Sequence, residues 1–323
     1  MATVRLTIPK TPPISRVLSF GAGQQSVALA VLMVQGVIPK ADALVFANVG
    51  ENSEHPDTLR YLREVFIPYA NVNGLNFVET QRQIRNKPSD LHDYTLSPDN
   101  RAIPVPLYNE QGSPGNRTCT LEWKVKVVDR WIKAQGVTQC EIIIGFSAEE
   151  GSRVAKKPLG WHDRHGNYKF GFEKRFSFPL HDLGINRNKA QNIIAEAGLP
   201  IPPSSACWHC PFLSRAKWVE MRNNDPELFA RAVGFERAVN TKRTATILDR
   251  AHKMTEAVTD YPMFGDSVTT QSKPKFNSSN DKFYLYPKTG GQMRPLEDAV
   301  PKDQLSLFDQ LLNETCEEGY CGL

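Results

Sequence analysis

The sequence predicts an α/β fold: a mostly parallel sheet with helices on both faces, joined to a mainly helical C-terminal region. Three observations carry this. Apolar runs of strand length alternate with helix-spaced segments between residues 16 and 78, an order that builds parallel strands linked by helical crossovers. A further apolar run, Glu141 to Phe146, comes after another helix-spaced segment and extends the pattern. Beyond residue 200 the chain changes character, with closely spaced prolines, a Cys-x-x-Cys pair and two more helix signatures.

The 323 residues suffice for one α/β domain plus a smaller appended region. A net charge of +4 admits an anionic partner, nucleotide or nucleic acid, but is too mild to be an electrostatic footprint by itself. No apolar run reaches membrane-spanning length and the first ten residues lack the apolar core of a secretion signal, so a cytoplasmic protein without a membrane partner is expected. In such a chain the six cysteines (Cys119, Cys140, Cys207, Cys210, Cys316 and Cys321) point to metal binding or redox chemistry rather than a disulfide framework.

Residues 1–15 read as a polar, proline-punctuated arm. Val17, Leu18 and Phe20 end a buried strand, Val27, Leu29, Ala30 and Leu32 begin an apolar helix, and Gly21 to Ser26 form the loop between them. Gly21, Ala22 and Gly23 carry almost no side chain, so backbone N–H groups can close on an anion while the helix N-terminus adds partial positive charge. Ser19 and Ser26 offer hydroxyls to the same place. The loop is not a Walker A turn, since no Gly-Lys-Ser/Thr comes after it, and it lacks the three glycines and later acid of a dinucleotide site. Taken alone, a glycine-containing strand-to-helix turn is more often just a tight turn than a nucleotide site.

Ala41 to Asn48 is the second strand, Pro56 to Phe66 a helix with Leu59, Leu62 and Phe66 on one side, and Leu75 to Val78 the third strand. Residues 82–118, rich in Pro, Asn, Asp, Ser and Gly, read as a long loop that is a lid, a binding loop or disordered. Leu121 to Ile132 is helical, and Cys140, at the start of the next strand, is read as an inert core cysteine. Val154 to Lys174 is basic and carries Trp161, Tyr168, Phe170 and Phe172, which suits a nucleic acid or a base as well as it suits a solvated loop with its rings tucked inward. Asn186 to Ala197 is a helix stopped by Gly198; Ser214 to Met221 and Pro226 to Val239 are helices, the second capped by Asp225. The polar section 267–282 is the linker candidate, so the divisions are an α/β domain over 16–200, a cysteine-bearing helical region over 201–266, and a linker with tail over 267–323.

Five stretches in order resemble the PP-loop ATP pyrophosphatases, and within them the phosphoadenosine phosphosulfate reductase-like group. They are Ser19-Phe20-Gly21-Ala22-Gly23-Gln24-Gln25-Ser26; Phe46 to Gly50 with His55 to Thr58; Arg117 to Lys124; Gly145 to Arg153; and Cys207-Trp-His-Cys210-Pro-Phe. The resemblance runs from about Val17 to Phe235 and implies a Rossmann-like sheet that binds ATP or an adenylyl sulfate at the loop. In ATP-using members the α-phosphate is attacked, pyrophosphate leaves and an adenylated intermediate forms, so backbone donors, Mg²⁺ and cations must gather around the phosphates. The resemblance assigns Gly21, Gly23 and Ser26 to the cradle, Arg117, Lys124 and Arg153 to the phosphates or sulfate, and Asn48, Glu51 and Gly145 to the nucleotide's surroundings. One position departs from the pattern: an acidic residue just before the last loop serine is replaced by Gln25, which cannot bind Mg²⁺ as a carboxylate does. Glu149 and Glu150 are the acids that could compensate; a solvated pair at a strand end is the alternative.

Cys207-x-x-Cys210 suits an iron-sulfur segment, half a zinc site or a redox pair. In cluster-bearing relatives a Cys-Cys pair at the position of Cys119-Thr120 joins the later cysteines around a 4Fe-4S cluster, so here three of four ligands are present. The resemblance leaves two completions: a three-cysteine cluster with one iron open to sulfide, or closure by Cys316 or Cys321 from the tail. A structural Zn²⁺ on Cys119, Cys207, Cys210 and His209 is the alternative. The terminal Cys321-Gly-Leu is similar to the tail of phosphosulfate reductases, whose cysteine attacks sulfur. Three functions are therefore expected to compete: sulfur transfer to a nucleic acid after ATP-dependent activation, with a sulfur donor; an adenylyl or phosphoadenylyl sulfate reductase working with a thioredoxin-like reductant; and a nucleotide-binding subunit without catalysis. A homodimer is compatible with each.

Overall fold

The computed structural model describes residues 15–157, 172–259, 282–288 and 291–300, with the side chains of 250–259 left aside. Five parallel strands form one sheet: β1 (Arg16–Phe20), β2 (Ala43–Asn48), β3 (Phe77–Gln81), β6 (Gln139–Ile143) and β7 (Glu173–Ser177), in the order β3-β2-β1-β6-β7. A two-stranded hairpin, β4 (Gln83–Ile84) with β5 (Lys87–Pro88), stands apart from it. The α/β expectation holds, Rossmann-like in strand order, and β1 and β6 are the neighbours at which that order reverses. In open parallel sheets the crevice beyond the carboxyl ends at such a reversal is where ligands bind.

Alternation along the strands sends side chains to two separate cores. Leu18, Phe20, Leu44 and Phe46 face a core with α1 (Gln24–Val34), the helical run α2 (Pro56–Tyr61) to α3 (Ile67–Val72), α7 (Pro179–Asp182) and α8 (Arg187–Glu196). Val17, Ala43, Val45 and Ala47 face the other, built with β6 and with α5 (Lys126–Ala134). Between α2 and α3 the helix widens into a π turn over Leu62–Phe66, directly ahead of Pro68, whose ring has no N–H for the regular bond.

Strand β7 is absent from the sequence expectation, because Glu173-Lys-Arg reads as the end of a basic loop. It is an edge strand, paired from Gln139↔Glu173 to Ile143↔Ser177. Its Lys174 is buried and bonded to both carboxylate oxygens of buried Asp129 on α5, at 3.0 and 2.8 Å. The pair lets a charged residue occupy an inward strand position.

The stretch 82–118 is not a structureless loop. It holds the hairpin and α4 (Leu91–Leu96), whose N-cap Asp90 accepts from the backbone N–H groups of His92 and Asp93. Together with α6 (Gly151–Val154), α9 (Arg215–Asn224), α10 (Pro226–Thr259) and α11 (Leu296–Ala299), this accounts for the remaining α-helices among the described residues. A third core joins Leu91, Val105, Leu107 and Trp123 to Trp208, Trp218, Phe235, Leu285 and Leu296, so the loop and the C-terminal helices share one interior. Tyr108 and Tyr284 exchange backbone hydrogen bonds, both 2.9 Å, across the same junction. Helix α10 extends well past Val239, to Thr259, while Asn186, Ser214 and Asp225 cap α8, α9 and α10 as their types suggest. Among the described residues, no helix is long and apolar enough to cross a membrane. Cys316, Cys321, Trp161, Tyr168, Phe170 and nearly all of the 267–282 linker lie outside the described residues.

Candidate functional site

The glycine turn lies at the carboxyl end of β1, on the crevice at the sheet's reversal point. Helix α1 starts at Gln24, so the open turn is Gly21-Ala22-Gly23, and Gln24, Gln25 and Ser26 form the first helical turn. Ala22 adopts a left-handed φ of 57° and is buried. A non-glycine residue held there costs about 1 kcal/mol or more, and alternation of hand turns successive N–H groups inward. The Ser26 hydroxyl accepts from Gly23 N at 3.2 Å and donates to Gly23 O at 2.9 Å, so it braces the turn from behind. No side chain caps α1 and its first turn has no acid, whereas His55, Asp90, Asn186 and Ser214 cap other helices. The positive end of α1 thus has no side-chain acid in its own first turn to offset it.

Beside the turn stands the end of β6. A methyl on Gly145 would lie 3.1 Å from Gln25 Cβ, which explains a glycine where strand end and helix meet. The Gln25 amide donates to Glu150 Oε2 at 3.0 Å; Glu150 is buried, also accepts from Ser147 N at 3.0 Å, and is paired with Arg153, itself 4.2 Å over the Phe146 ring. Glu150, rather than Glu149, thus reaches the loop. Glu149 is exposed and accepts from Arg187 N at 3.4 Å, toward the start of α8. The distinction is invisible in a run of two glutamates, because a single turn of helix points them in different directions.

The turn after β2 forms the next wall. Asn48 is buried, donates to Glu79 at 2.6 Å and to Glu51 at 3.3 Å, and accepts from Gly50 N at 2.7 Å. Glu51 is exposed and paired with Arg63, whose hydrogen bond holds its carboxyl below the usual range. Buried Glu54 has its pKa pushed up by desolvation, against the charge of Lys124 in the π turn Thr120–Val125 that leads into α5. Arg117 lies with its guanidinium 5.3 Å over the Phe212 ring, two residues beyond Cys210.

The cysteine segment is tied to both turns. Glu54 and Cys207 form an isolated antiparallel bridge, and the Trp208 indole donates to Asn52 O at 2.7 Å. On the other side, a methyl on Gly23 would lie 2.9 Å from Ser205 Oγ and one on Gly21 3.7 Å from it. Sequence reasoning missed Ser205, since nothing in a Ser-Ser pair before a cysteine motif signals which turn it will face. Cys119 and Cys207 pack against the same third core, and Cys210 comes one turn after Cys207, with Cys210 N on Cys207 O at 3.1 Å. Cys140, by contrast, is buried in β6 with its thiol pushed up to about 12 by desolvation.

His209, between the two cysteines, is fully buried, stacked 4.5 Å from Phe235, and has no hydrogen-bond partner on either ring nitrogen among the described residues. Burial pulls its pKa to about 3, so it is neutral. Among the described residues, the group of three with all ligand atoms within 4.8 Å is Asp90, His92 and Asp93. Cys119, Cys207 and Cys210 are half-buried, and His209, with no hydrogen-bond partner among the described residues, stands between the last two in the chain; such soft thiol ligands are of the type that iron-sulfur clusters and zinc both take. Asp90 already accepts from Asn52 N, Ser53 Oγ and His92 N, so that acidic group holds the β2 turn to α4. A groove of about 670 Å³ lined by Arg222, Phe229, Val233, Arg237 and Glu297 lies between α9, α10 and α11 and shares no residue with this site.

No family model matches the chain, and a search of curated proteins finds no match.

Proposed function

We propose that this chain is a nucleotide-dependent sulfur-transfer enzyme of the PP-loop type, binding the phosphates of ATP at Gly21-Ala22-Gly23 and the uncapped start of α1. The single observation that carries the reading is Ser205 lying against Gly21 and Gly23 two residues ahead of Cys207, which sets the thiol-bearing segment beside the turn. Backbone N–H groups of the turn would hold the anion, and Lys124, Arg117 and Arg153 are the cations that would meet phosphate oxygens with Mg²⁺. Glu150 serves by fixing Gln25 and Arg153, since its carboxylate already accepts from several donors. Cys119, Cys207 and Cys210 would hold a 4Fe-4S cluster, with Cys316 as the fourth ligand from the tail; Zn²⁺ on the same thiols is the alternative. When bound, such a cluster supplies a site for sulfur. The substrate receiving it would be a nucleic acid or another acceptor activated by adenylation.

A second reading, an adenylyl sulfate or phosphoadenylyl sulfate reductase using Cys321, is favoured by Gln25: its amide faces Glu150 and it brings no carboxylate for Mg²⁺. A pre-activated substrate needs no α,β-cleavage. The experiment is incubation of anaerobically purified protein with ATP and Mg²⁺, and separately with adenylyl sulfate and thioredoxin. Pyrophosphate release supports the first reading, sulfite release the second, and nucleotide binding with neither overturns both in favour of a non-catalytic subunit. A visible absorption band that is lost on chelation of iron supports the cluster, and stoichiometric zinc overturns it.

A further inference from the structure

We infer that Ser205 closes the glycine turn over the nucleotide's phosphate and thereby ties nucleotide occupancy to the cysteine segment. The inference rests on the nucleotide-binding reading and adds to it a residue and a form of regulation. Ser205 is half-buried, its Oγ faces both glycines of the turn, and its hydroxyl makes no hydrogen bond to any described residue. A hydroxyl left without a partner at the mouth of a positively polarised turn is a donor for an anion entering it. Gly23 has to be glycine for Ser205 to come this close, since a methyl there would meet Ser205 Oγ at 2.9 Å and Cβ at 3.3 Å.

The segment beyond Ser205 makes the contact consequential. Ala206 and Trp208 are buried, Cys207 is bridged to Glu54, and the Trp208 indole is held on Asn52 O. Residues 205–208 thus form a short strip anchored on the β2 turn at one end, with its other end resting on the β1 turn. A phosphate in the turn bonds the Ser205 hydroxyl and secures that other end. Nucleotide binding then further orders the segment that carries Cys207 and Cys210, so thiol chemistry is coupled to nucleotide occupancy.

The test uses the full chain purified anaerobically, with ATP as the probe, and reads affinity by calorimetry and backbone order by hydrogen exchange of the peptide covering residues 203–213. In the wild-type protein, saturating ATP slows exchange in that peptide. Ser205→Ala binds ATP about tenfold more weakly, the loss of one hydrogen bond to a charged group, and at saturation its peptide no longer slows. Ser205→Thr, which keeps the hydroxyl, restores both. Unchanged affinity in Ser205→Ala, or slowing that persists in it, overturns this inference and leaves the nucleotide site standing. Absence of ATP binding by the wild-type protein overturns both.

Discussion

The side-chain amide of Gln25 donates to Glu150 Oε2 at 3.0 Å, joining the first turn of α1 to the short helical turn Ala148–Glu150 beyond β6, across the sheet's reversal point. The same carboxylate pairs with Arg153 and accepts from Ser147 N. Glu150→Ala therefore takes the carboxylate away from a partly buried guanidinium and a backbone N–H, and the expected loss is about 2–4 kcal/mol. Urea denaturation checks it. Loss of nucleotide affinity should accompany the change, because Gln25 and Arg153 lose their positions together.

Lys174 and Asp129 are buried and bonded at 2.8 Å, so removing one partner strands the other's charge. Lys174→Met should cost about 3–5 kcal/mol, and the double change Lys174→Met with Asp129→Leu should recover most of it. A double-mutant cycle in denaturant measures the difference. If the double change is as unstable as the single, the pair is not what holds β7 to α5.

Gly50 has φ +120°, and a methyl there would sit 2.0 Å from Asp90 Oδ2. Gly50→Ala both strains the backbone and pushes Asp90 off the β2 turn, at a cost of roughly 3 kcal/mol. The start of α4 loses its anchor, so limited proteolysis should cut within residues 97–118 several times faster than in the wild-type protein. Wild-type resistance in the variant would show that α4 is held by the third core alone.

Glu236 on α10 accepts from Leu285 N at 2.7 Å and Leu296 N at 2.8 Å, pinning both C-terminal segments, while burial raises its pKa from 4.5 to about 7. A raised folded pKa means the unfolded chain ionises first. The stability this group contributes is complete below about pH 4.5 and is lost as pH rises toward 7, on the order of 3 kcal/mol in all. Thermal unfolding across that window should show the decline, and Glu236→Gln should flatten it.

Much of this was legible in the chain. The buried strands β1, β2 and β6 announce themselves as short, mostly apolar runs because both of their faces are covered, and Asn186, Ser214 and Asp225 mark helix starts because capping is a local hydrogen bond. The glycine turn was visible for the same reason: strand, small residues and helix succeed one another within a dozen positions. Tertiary structure alone decided the rest. Strand β7 buries Lys174 against Asp129, 45 positions away, and the 82–118 stretch shares a core with residues 208–296. Ser205 reaches Gly23 only once the sheet has set β1 beside β2 and the cysteine segment has crossed both. Periodicity along a chain reports which side of one segment is buried, and it is silent on which distant segment does the burying.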